Sequence, residues 1–272
     1  MTDAARKRSQ DPASPFQPEA HIEFRGITKT FRSTNGSRST TAVDGIDLTI
    51  GQGEFVCLVG PSGCGKTTLL QMLAGLVRPD RGEVLLGGEP IVGTSPRQGM
   101  VFQEYALFPW MTVRGNVEAG LRYGHVPRRE RRARVDALLK AVNLESCRDA
   151  FPKELSGGMK QRVAIARAYA PDPDVLLMDE PFGALDVQTK SVLQEDLLAT
   201  WASTKKTVVF VTHDVDEAVY LSQRVVLLSP SPGRVFADIA IDLDYPRARE
   251  VRVSPEFSIL RTRIWEMIYR MS

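Results

Sequence analysis

One glycine-rich segment constrains the fold of this chain more than any other. Residues 60–67 read GPSGCGKT, directly after the apolar run FVCLV and directly before TLLQML. Fixed glycines followed by Lys-Thr, between a strand and a helix, form the pattern of a phosphate-binding loop. The glycines let backbone N–H groups face a phosphate, and the helix N-terminus adds a positive dipole end. The segment therefore predicts a strand–loop–helix unit that binds a nucleotide.

Individual roles follow from the chemistry of this loop. Lys66 is expected to span the β- and γ-phosphates, the Thr67 hydroxyl to bind Mg²⁺, and Thr68 to reach the α-phosphate. Cys64 is interpreted as a small residue that fits the loop, with an oxidisable thiol as the alternative. The predicted nucleotide-binding residues here are Gly60, Pro61, Ser62, Gly63, Cys64, Gly65, Lys66, Thr67 and Thr68.

A Mg²⁺-nucleotide site also needs a carboxylate at the end of a neighbouring strand. The run VLLMDE at 175–180 supplies two acidic residues after four apolar ones. Asp179 is predicted to hold Mg²⁺, directly or through water. Glu180 lies past the predicted strand end, where it can act as general base toward an attacking water.

A second segment has the same helix-start chemistry. Ser156, Gly157 and Gly158 of the LSGG segment (residues 155–158) precede a helical pattern that stops at Pro171. Such a start offers free N–H groups to an anion. One nucleotide has a single phosphate chain, which residues 60–68 already accommodate. The sequence thus raises the question of which anion the LSGG segment binds.

Periodicity indicates an α/β core. Strand-like apolar runs at 55–59, 175–179, 207–212 and 224–229 are separated by helical segments, as a parallel sheet requires. Short alternating strands within 22–50 indicate an antiparallel flap, with a polar loop at 35–41. From about 115 to 170 the pattern is helical. A helix capped by Ser254 is predicted to pack on the parent domain, and its apolar stripe comprises Phe257, Leu260, Ile264, Ile268 and Met271.

Charge alone does not indicate a partner. The 35 basic and 33 acidic residues give a net charge of +2, without the basic excess of a nucleic-acid-binding protein. The run RRERRAR at 128–134 is interpreted as the solvent-exposed face of an amphipathic helix; a nucleic-acid patch is the less favoured alternative, because no aromatic residues are interleaved with it. No apolar run approaches the roughly 18–20 residues of a membrane span. Residues 1–20 lack the apolar stretch of a secretory signal and are predicted to be a disordered tail.

Six motifs, in this order, give the chain a close resemblance to the ABC transporter ATPase family. The resemblance implies a P-loop NTPase core with an antiparallel β flap and an α-helical subdomain. It places the ATPase domain at 21–243, the helical subdomain at about 104–170, and a C-terminal extension at 244–272. The motifs are GPSGCGKT at 60–67, Gln103 in VFQEYALFP, LSGGM at 155–159, VLLMDE at 175–180, GALD at 183–186 and His213 in VTHD.

The family pairs two ATPase domains head to tail, which answers the question about the second helix start. The resemblance implies that Ser156, Gly157 and Gly158 cap the γ-phosphate of ATP bound to the neighbour. Met159 departs from the glutamine common at this place, but the phosphate chemistry belongs to the serine and the glycines. Each active site would then be shared between two copies.

Other roles come from the resemblance alone. Gln103 is expected to touch Mg²⁺ or the attacking water, and His213 to hydrogen-bond the γ-phosphate and steady Glu180. Asp186 is expected to communicate across the dimer, and Phe31 to lie under the adenine ring unless it is a core residue. Trp110, in FPWMTV, is either a core residue or part of a partner interface.

The expected function is the ATP-hydrolysing subunit of a bacterial ABC importer. Its partners would be membrane permease subunits and, indirectly, a solute-binding protein, at the cytoplasmic face of the inner membrane. The segments FPWMTVRGNV, DEPFGALD and YPRAREVRVSPEFSILRTRIWE resemble the group that imports nitrate, sulfonates, taurine and similar small anions. No nucleic-acid partner is expected.

Two alternatives stay open from sequence. A soluble ABC ATPase in DNA repair or translation is disfavoured because residues 66 and 179 are 113 positions apart, too close for a long coiled-coil insertion. Translation factors usually carry two ATPase domains, whereas one set of motifs is found. A nucleotide-binding regulator without turnover is opposed by the presence of Glu180 and His213.

Overall fold

The computed structural model describes residues 20–32, 39–245 and 247–271. Most of the predicted N-terminal tail and part of the predicted 35–41 loop lie outside these ranges; Ala20, the last residue of the predicted tail, opens the first strand. The described strands are β1 (Ala20–Arg32), β2 (Ser39–Gly51), β3 (Phe55–Val59), β4 (Arg81–Leu86), β5 (Glu89–Pro90), β6 (Gln98–Val101), β7 (Val175–Asp179), β8 (Thr207–Thr212), β9 (Arg224–Leu228) and β10 (Val235–Ala240). The described α-helices are α1 (Lys66–Leu73), α2 (Val113–Tyr123), α3 (Arg128–Ala141), α4 (Gly157–Tyr169), α5 (Val187–Thr204), α6 (Val215–Leu221) and α7 (Pro255–Met271).

The central sheet has six strands in the order β10-β9-β3-β8-β7-β6. Its neighbours pair in parallel, except that β10 runs antiparallel to β9 at one edge. Strands β3, β7 and β8 are apolar on both faces, as expected for parallel strands covered on both sides. Their carboxyl ends meet at one edge of the sheet, which is where open α/β sheets bind ligands.

A second, antiparallel sheet in the order β2-β1-β4-β5 covers one face of this core. Along β3, Val56 and Leu58 point into the cluster that includes α1 and the antiparallel sheet. Phe55, Cys57 and Val59 point into the opposite cluster, formed with α5, α6 and α7. This alternation follows from the two-residue period of a strand. The α/β core and the antiparallel flap predicted from sequence are both confirmed.

Helices α2, α3 and α4 share a separate apolar cluster. On α3, Val135 and Leu139 are buried while the basic run before them is mostly exposed. Val163 of α4 and Val117 of α2 complete the contact. These helices form a helical layer at one end of the central sheet, within the range predicted to be helical.

The C-terminal helix packs on the core through the predicted stripe. Phe257 and Ile264 are fully buried, and the Ser254 hydroxyl accepts a hydrogen bond from the Phe257 N–H at 3.1 Å. Just before the helix, the buried Arg247 guanidinium donates to the carbonyls of Val219 (2.6 Å) and Ser222 (2.7 Å). Segment 247–271 is therefore anchored to the parent domain.

Across the described part of the chain, no helix combines the length and the apolar composition that crossing a membrane demands.

Candidate nucleotide-binding site

A pocket of about 550 Å³ lies at the carboxyl-end edge of the central sheet. It brings together ten of the predicted site residues, drawn from the flap, the phosphate loop and the ends of β6, β7 and β8. The lining residues are Phe31, Ala42, Ser62, Gly63, Gly65, Lys66, Thr67, Thr68, Gln103, Glu180 and His213.

The phosphate loop reaches α1 through a left-handed glycine. Gly65 has φ of 93° at the position before α1, and a Cβ there would lie 2.4 Å from Cγ1 of Val43. Only glycine satisfies both the dihedral and the close approach. At the other end of the loop, a Cβ on Gly60 would lie 2.7 Å from the carbonyl of Leu228. The loop is thus closely held between the flap and β9.

Lys66 supplies the positive charge of the loop. Its side chain is almost buried, and Nζ donates to the carbonyls of Gly60 at 2.8 Å and Pro61 at 3.0 Å. The buried thiol of Cys64 lies 3.8 Å from the same Nζ. Gly60, Pro61 and Cys64 do not line the pocket; they frame the loop around the ammonium group.

The Thr67 hydroxyl donates to Oδ1 of Asp179 at 3.0 Å, which joins α1 to the end of β7. Asp179 lies behind Thr67, outside the pocket lining. Burial raises the pKa of Asp179 above its ordinary value, while the hydrogen bond from Thr67 opposes that rise. An ionised Asp179 is therefore costly in this position unless a cation compensates it.

Glu180 and His213 lie side by side in the pocket lining, within hydrogen-bond distance of each other. Oε2 of Glu180 lies 2.9 Å from Nδ1 of His213, whose ring is largely exposed. Glu180 has a positive φ of 44°, and its N–H donates to the Val211 carbonyl at 3.0 Å. This left-handed turn directs the carboxylate away from the strand and into the pocket.

A polar network behind His213 escaped the sequence analysis. The Thr212 hydroxyl donates to the buried Glu217, and Lys190 bridges Asp214 (2.7 Å) and Glu217 (3.3 Å). Asp214 also caps α6 by accepting from the Glu217 N–H. The network secures both neighbours of His213. An acidic residue three positions before Glu217 was a capping signal that could have revealed part of it.

The segment that carries Gln103 is held by two residues that the sequence analysis also missed. Arg167 of α4 donates to the carbonyls of Tyr105 (3.1 Å) and Ala106 (2.6 Å). The buried Asn116 accepts from the Phe108 N–H at 2.8 Å and donates to its carbonyl at 3.2 Å. A polar residue on an otherwise apolar face of α2 was the available signal.

Two aromatic residues with alternative interpretations are exposed. Phe31, 43% exposed, lines the pocket, which excludes the core interpretation. Trp110 is 69% exposed and contacts Phe108 with ring centroids 5.6 Å apart and the rings tilted by 41°. It too is not a core residue.

The structure places the LSGG segment outside this pocket. Ser156 is exposed and caps α4 by accepting from the Met159 N–H at 3.3 Å. A Cβ on Gly158 would lie 2.5 Å from Cγ2 of Thr189, so α4 approaches α5 closely there. Nearby, Asp186 caps α5 by accepting from the N–H groups of Gln188 (3.1 Å) and Thr189 (3.0 Å). A hydrogen bond from the Thr189 side chain, followed by those from the N–H groups of Thr189 and Gln188, holds the pKa of Asp186 below its ordinary value.

Comparisons with known proteins agree on one family. Residues 43–183 match the ABC transporter family model. A protein of Brucella abortus, named only for ATP binding, is 53% identical over 228 residues, which cover 84% of this chain and 88% of that protein. The aliphatic sulfonates import ATP-binding protein SsuB of Bacillus cereus is 43% identical over 249 residues, covering 92% and 96%.

Solved structures agree as well. The ATP-binding cassette MJ0796, in a dimeric post-hydrolysis state bound to ADP and Pi, superposes with a TM-score of 0.72 at 34% identity. The match covers 82% of this chain and all of that one. The family resemblance drawn from the six motifs is therefore confirmed.

Proposed function

This chain belongs to the ABC transporter family, whose ATP-binding cassettes are ATPases, and we propose that it energises a bacterial importer of sulfonates or similar small anions. The observation that carries the proposal is the pocket in which the phosphate loop, Glu180 and His213 converge. The chemistry it supports is hydrolysis of the terminal phosphate of ATP.

Catalysis in this proposal is mainly positioning and charge stabilisation. Lys66 binds the β- and γ-phosphates, and Phe31 lies under the base. Glu180 accepts the proton of the attacking water, a role that contributes about 10²–10⁴-fold in rate. His213, 2.9 Å from the Glu180 carboxylate, orients that base and hydrogen-bonds the γ-phosphate.

The residues present suit Mg²⁺. Thr67 and Asp179 offer a hydroxyl and a carboxylate 3.0 Å apart, and Gln103 lines the pocket together with Thr67. Mg²⁺ uses one or two carboxylates together with substrate phosphates and water. The described residues hold no cluster of three or more His, Cys, Asp or Glu that would bind a metal alone. When bound, Mg²⁺ would neutralise phosphate charge, with Thr67, Asp179 and Gln103 as its protein contacts.

We further propose a head-to-tail homodimer in which the LSGG segment of each copy completes the partner's site. Ser156 is exposed, and its helix start lies outside the pocket of its own chain. The dimeric relative that holds ADP and Pi supports this arrangement. Asp186 accepts two hydrogen bonds from N–H groups in the first turn of α5. In the proposed dimer it would transmit to the other copy whether ATP or ADP is bound.

The membrane partner would dock beside Gln103. Trp110, seven residues after Gln103, presents an exposed indole, and Arg167 ties the Gln103 segment to α4. A change at the nucleotide can thus reach the helical layer through direct contacts. We propose that separate permease subunits bind this face, that a solute-binding protein delivers the cargo to them, and that the chain is peripheral to the cytoplasmic face of the inner membrane.

The substrate class rests on relatives. The Bacillus cereus relative is named for aliphatic sulfonate import, and the notable likeness extends over nearly the whole chain. Nitrate and taurine belong to the same group of small anions. The permease and the solute-binding protein, rather than this subunit, would select among them.

The test is purification of the tagged chain from native membranes in mild detergent, with co-purifying proteins identified by mass spectrometry. A multi-span permease is expected, and Trp110→Ala should reduce its recovery while leaving ATP binding intact. Uptake of labelled taurine, an alkanesulfonate and nitrate in a deletion strain would then assign the cargo. Recovery only with ribosomes or DNA-processing proteins in the soluble fraction would refute the importer.

A further inference from the structure

A second concavity, of about 600 Å³, lies between α2 and α3. It is separate from the nucleotide pocket, shares none of its residues, and is lined almost entirely by charged side chains. We call it the arginine pocket; its lining residues are Arg114, Glu118, Arg122, Arg128, Arg131, Arg132 and Val135.

The spacing explains how the two helices build this pocket. On α2, Arg114, Glu118 and Arg122 recur every four residues and therefore share one face. On α3, Arg128 and Arg132 have the same four-residue spacing and face them. Apolar packing of α2 against α3 brings the two charged faces together.

Internal pairing leaves most of the charge unbalanced. Five arginines against one glutamate give the lining a formal charge of +4. Glu118 pairs with Arg122 at 3.2 Å and lies 4.0 Å from Arg131. Within the described residues, the guanidinium groups of Arg114, Arg128 and Arg132 have no hydrogen-bond or ion-pair partner. Three clustered donors are thus available to a ligand.

The start of α3 is also electrostatically unfavourable. The helix follows Pro127 without a side-chain cap, and its first residue is Arg128. Cations at a helix N-terminus oppose the macrodipole, and Glu130 offsets only part of this. Sequences that conflict with their local structure commonly do so at functional sites. A bound anion would relieve both the repulsion between arginines and the conflict with the dipole.

We propose that the arginine pocket is a binding site for an anion that carries at least two phosphate groups. Arginine matches phosphate oxygens with paired N–H donors. The pocket is as large as the nucleotide pocket but has no aromatic lining residue on which a base could stack. Its ligand chemistry is therefore clustered phosphate without a base, from a soluble polyphosphate compound or from phospholipid headgroups.

The primary experiment measures tripolyphosphate binding by calorimetry in a Lys66→Ala background without added nucleotide, in which the weakened phosphate loop contributes little and no second phosphate compound competes for the arginine pocket. Arg114→Gln combined with Arg132→Gln should weaken binding about tenfold or more. Glu118→Gln should strengthen it about threefold, because a repelling charge is removed. Arg129→Gln is the control matched to Arg132→Gln alone: each removes one charge from α3, the first outside the pocket and the second inside it.

The source of the phosphate is distinguished by a second arm. Sedimentation with phosphatidic acid vesicles, against phosphatidylcholine vesicles, tests headgroup binding with the same variants. Binding in either arm that is lost in the variant combining Arg114→Gln with Arg132→Gln, but kept in Arg129→Gln, supports the site. The arm in which it occurs assigns the source of the phosphate. Absence of binding in both arms, or equal loss in Arg129→Gln, overturns it.

A folding control accompanies these measurements. Without ligand, Arg128→Gln should raise the melting temperature by about 1–3 °C, because a cation is removed from a helix N-terminus. Tripolyphosphate should stabilise the unsubstituted chain more than this variant. A lower melting temperature for Arg128→Gln would contradict the proposed electrostatic conflict.

Discussion

Two helices of this chain begin with a glycine-rich segment, yet their surroundings differ. The phosphate loop before α1 lies in a pocket with a nearly buried lysine, and its glycine before the helix has φ of 93°. In the LSGG segment before α4, Ser156 is exposed while Leu155 and Gly158 are buried; Ser156 has ordinary extended dihedrals and caps the helix with its hydroxyl. Similar helix-start chemistry thus occurs in a concave setting and in an open one.

The difference in surroundings indicates which of the two helix N-termini can bind an anion without a partner chain. Backbone N–H groups and a helix dipole attract an anion, but selective binding needs a cation and a cavity around it. The phosphate loop has both within one chain. The LSGG segment requires a second surface to enclose a ligand, and a partner's nucleotide pocket provides one in the proposed dimer.

The largest expected effect concerns the chemistry next to the phosphate loop. Glu180→Gln should lower ATP turnover by about 10²–10⁴-fold, because the amide cannot accept the proton from water. ATP binding should persist, and the bound state should accumulate as a dimer, measured by light scattering with Mg²⁺-ATP. Glu145→Gln, an exposed change on the helical layer, is the control. Normal turnover in Glu180→Gln would exclude this residue as the base.

The next prediction tests whether the two helix starts meet in trans. Ser156→Arg should abolish turnover while leaving ATP binding to the monomer unchanged, because the arginine blocks only a partner's phosphate. A purified heterodimer of Ser156→Arg with Glu180→Gln then contains both defects in one composite site and none in the other. Its turnover should exceed that of either homodimer at least tenfold. Turnover no higher than that of the homodimers would refute the shared site.

A smaller effect, on the free energy of unfolding, separates glycines where an added Cβ would meet a neighbouring atom from a glycine with open space around it. Gly65→Ala combines a left-handed φ with a clash against Val43 and should lower the free energy of unfolding by about 2–4 kcal/mol. Gly63→Ala has φ of 79° with nothing within 4 Å and should cost about 1–2 kcal/mol. Gly158→Ala, which meets Thr189 without a left-handed φ, should cost about 1–3 kcal/mol. Urea denaturation measures all three; equal losses at Gly63 and Gly65 would contradict the clash.

The smallest expected effects are changes in melting temperature, and they have opposite signs for Asp179, which is bonded to the phosphate loop, and for Asp186, which lies near the LSGG segment. Burial raises the pKa of Asp179, so its stabilising effect is complete below the ordinary pKa of 3.8 and is lost as pH rises through the folded value. Asp179→Asn should therefore raise the melting temperature at neutral pH in nucleotide-free protein. Hydrogen bonds lower the pKa of Asp186, whose contribution is present above its ordinary pKa and lost as pH falls.

Asp186→Asn should accordingly lower the melting temperature slightly at neutral pH and have less effect in acid. Melting curves of both variants between pH 3 and pH 8 check the pair of signs. Shifts of the same sign for Asp179→Asn and Asp186→Asn at neutral pH would contradict the opposing environments.

Local pattern was sufficient for much of the fold. The glycines and Lys66 predicted the strand–loop–helix unit, and the apolar runs at 175–179 and 207–212 predicted the parallel strands. The stripe through Phe257 and Ile264 predicted how α7 packs. These features depend on contacts between near neighbours or on the periodicity of one element, which a sequence displays directly.

Contacts between segments that are distant in the chain could not be predicted from local sequence pattern. The ion pair of Lys190 with Glu217 joins residues 27 positions apart, and the hydrogen bond from Arg167 to the Tyr105 carbonyl joins residues 62 positions apart. Only the bond from Thr212 to Glu217 is local. The arginine pocket is a similar case. Its basic run was interpreted as a solvated helix face, and only the packing of α2 against α3 places Arg114 opposite Arg132.

The sequence by itself determined the phosphate loop, the acidic pair after β7, the family and the α/β class, because each depends on residue type at short spacing. The tertiary structure decided which side chains share a cavity and which helix start is enclosed. It placed Glu180 against His213, turned Trp110 to the surface and left Ser156 of the LSGG segment exposed, outside the pocket of its own chain. Such relations arise from packing between elements that are remote in the chain, and spacing along the sequence does not encode them.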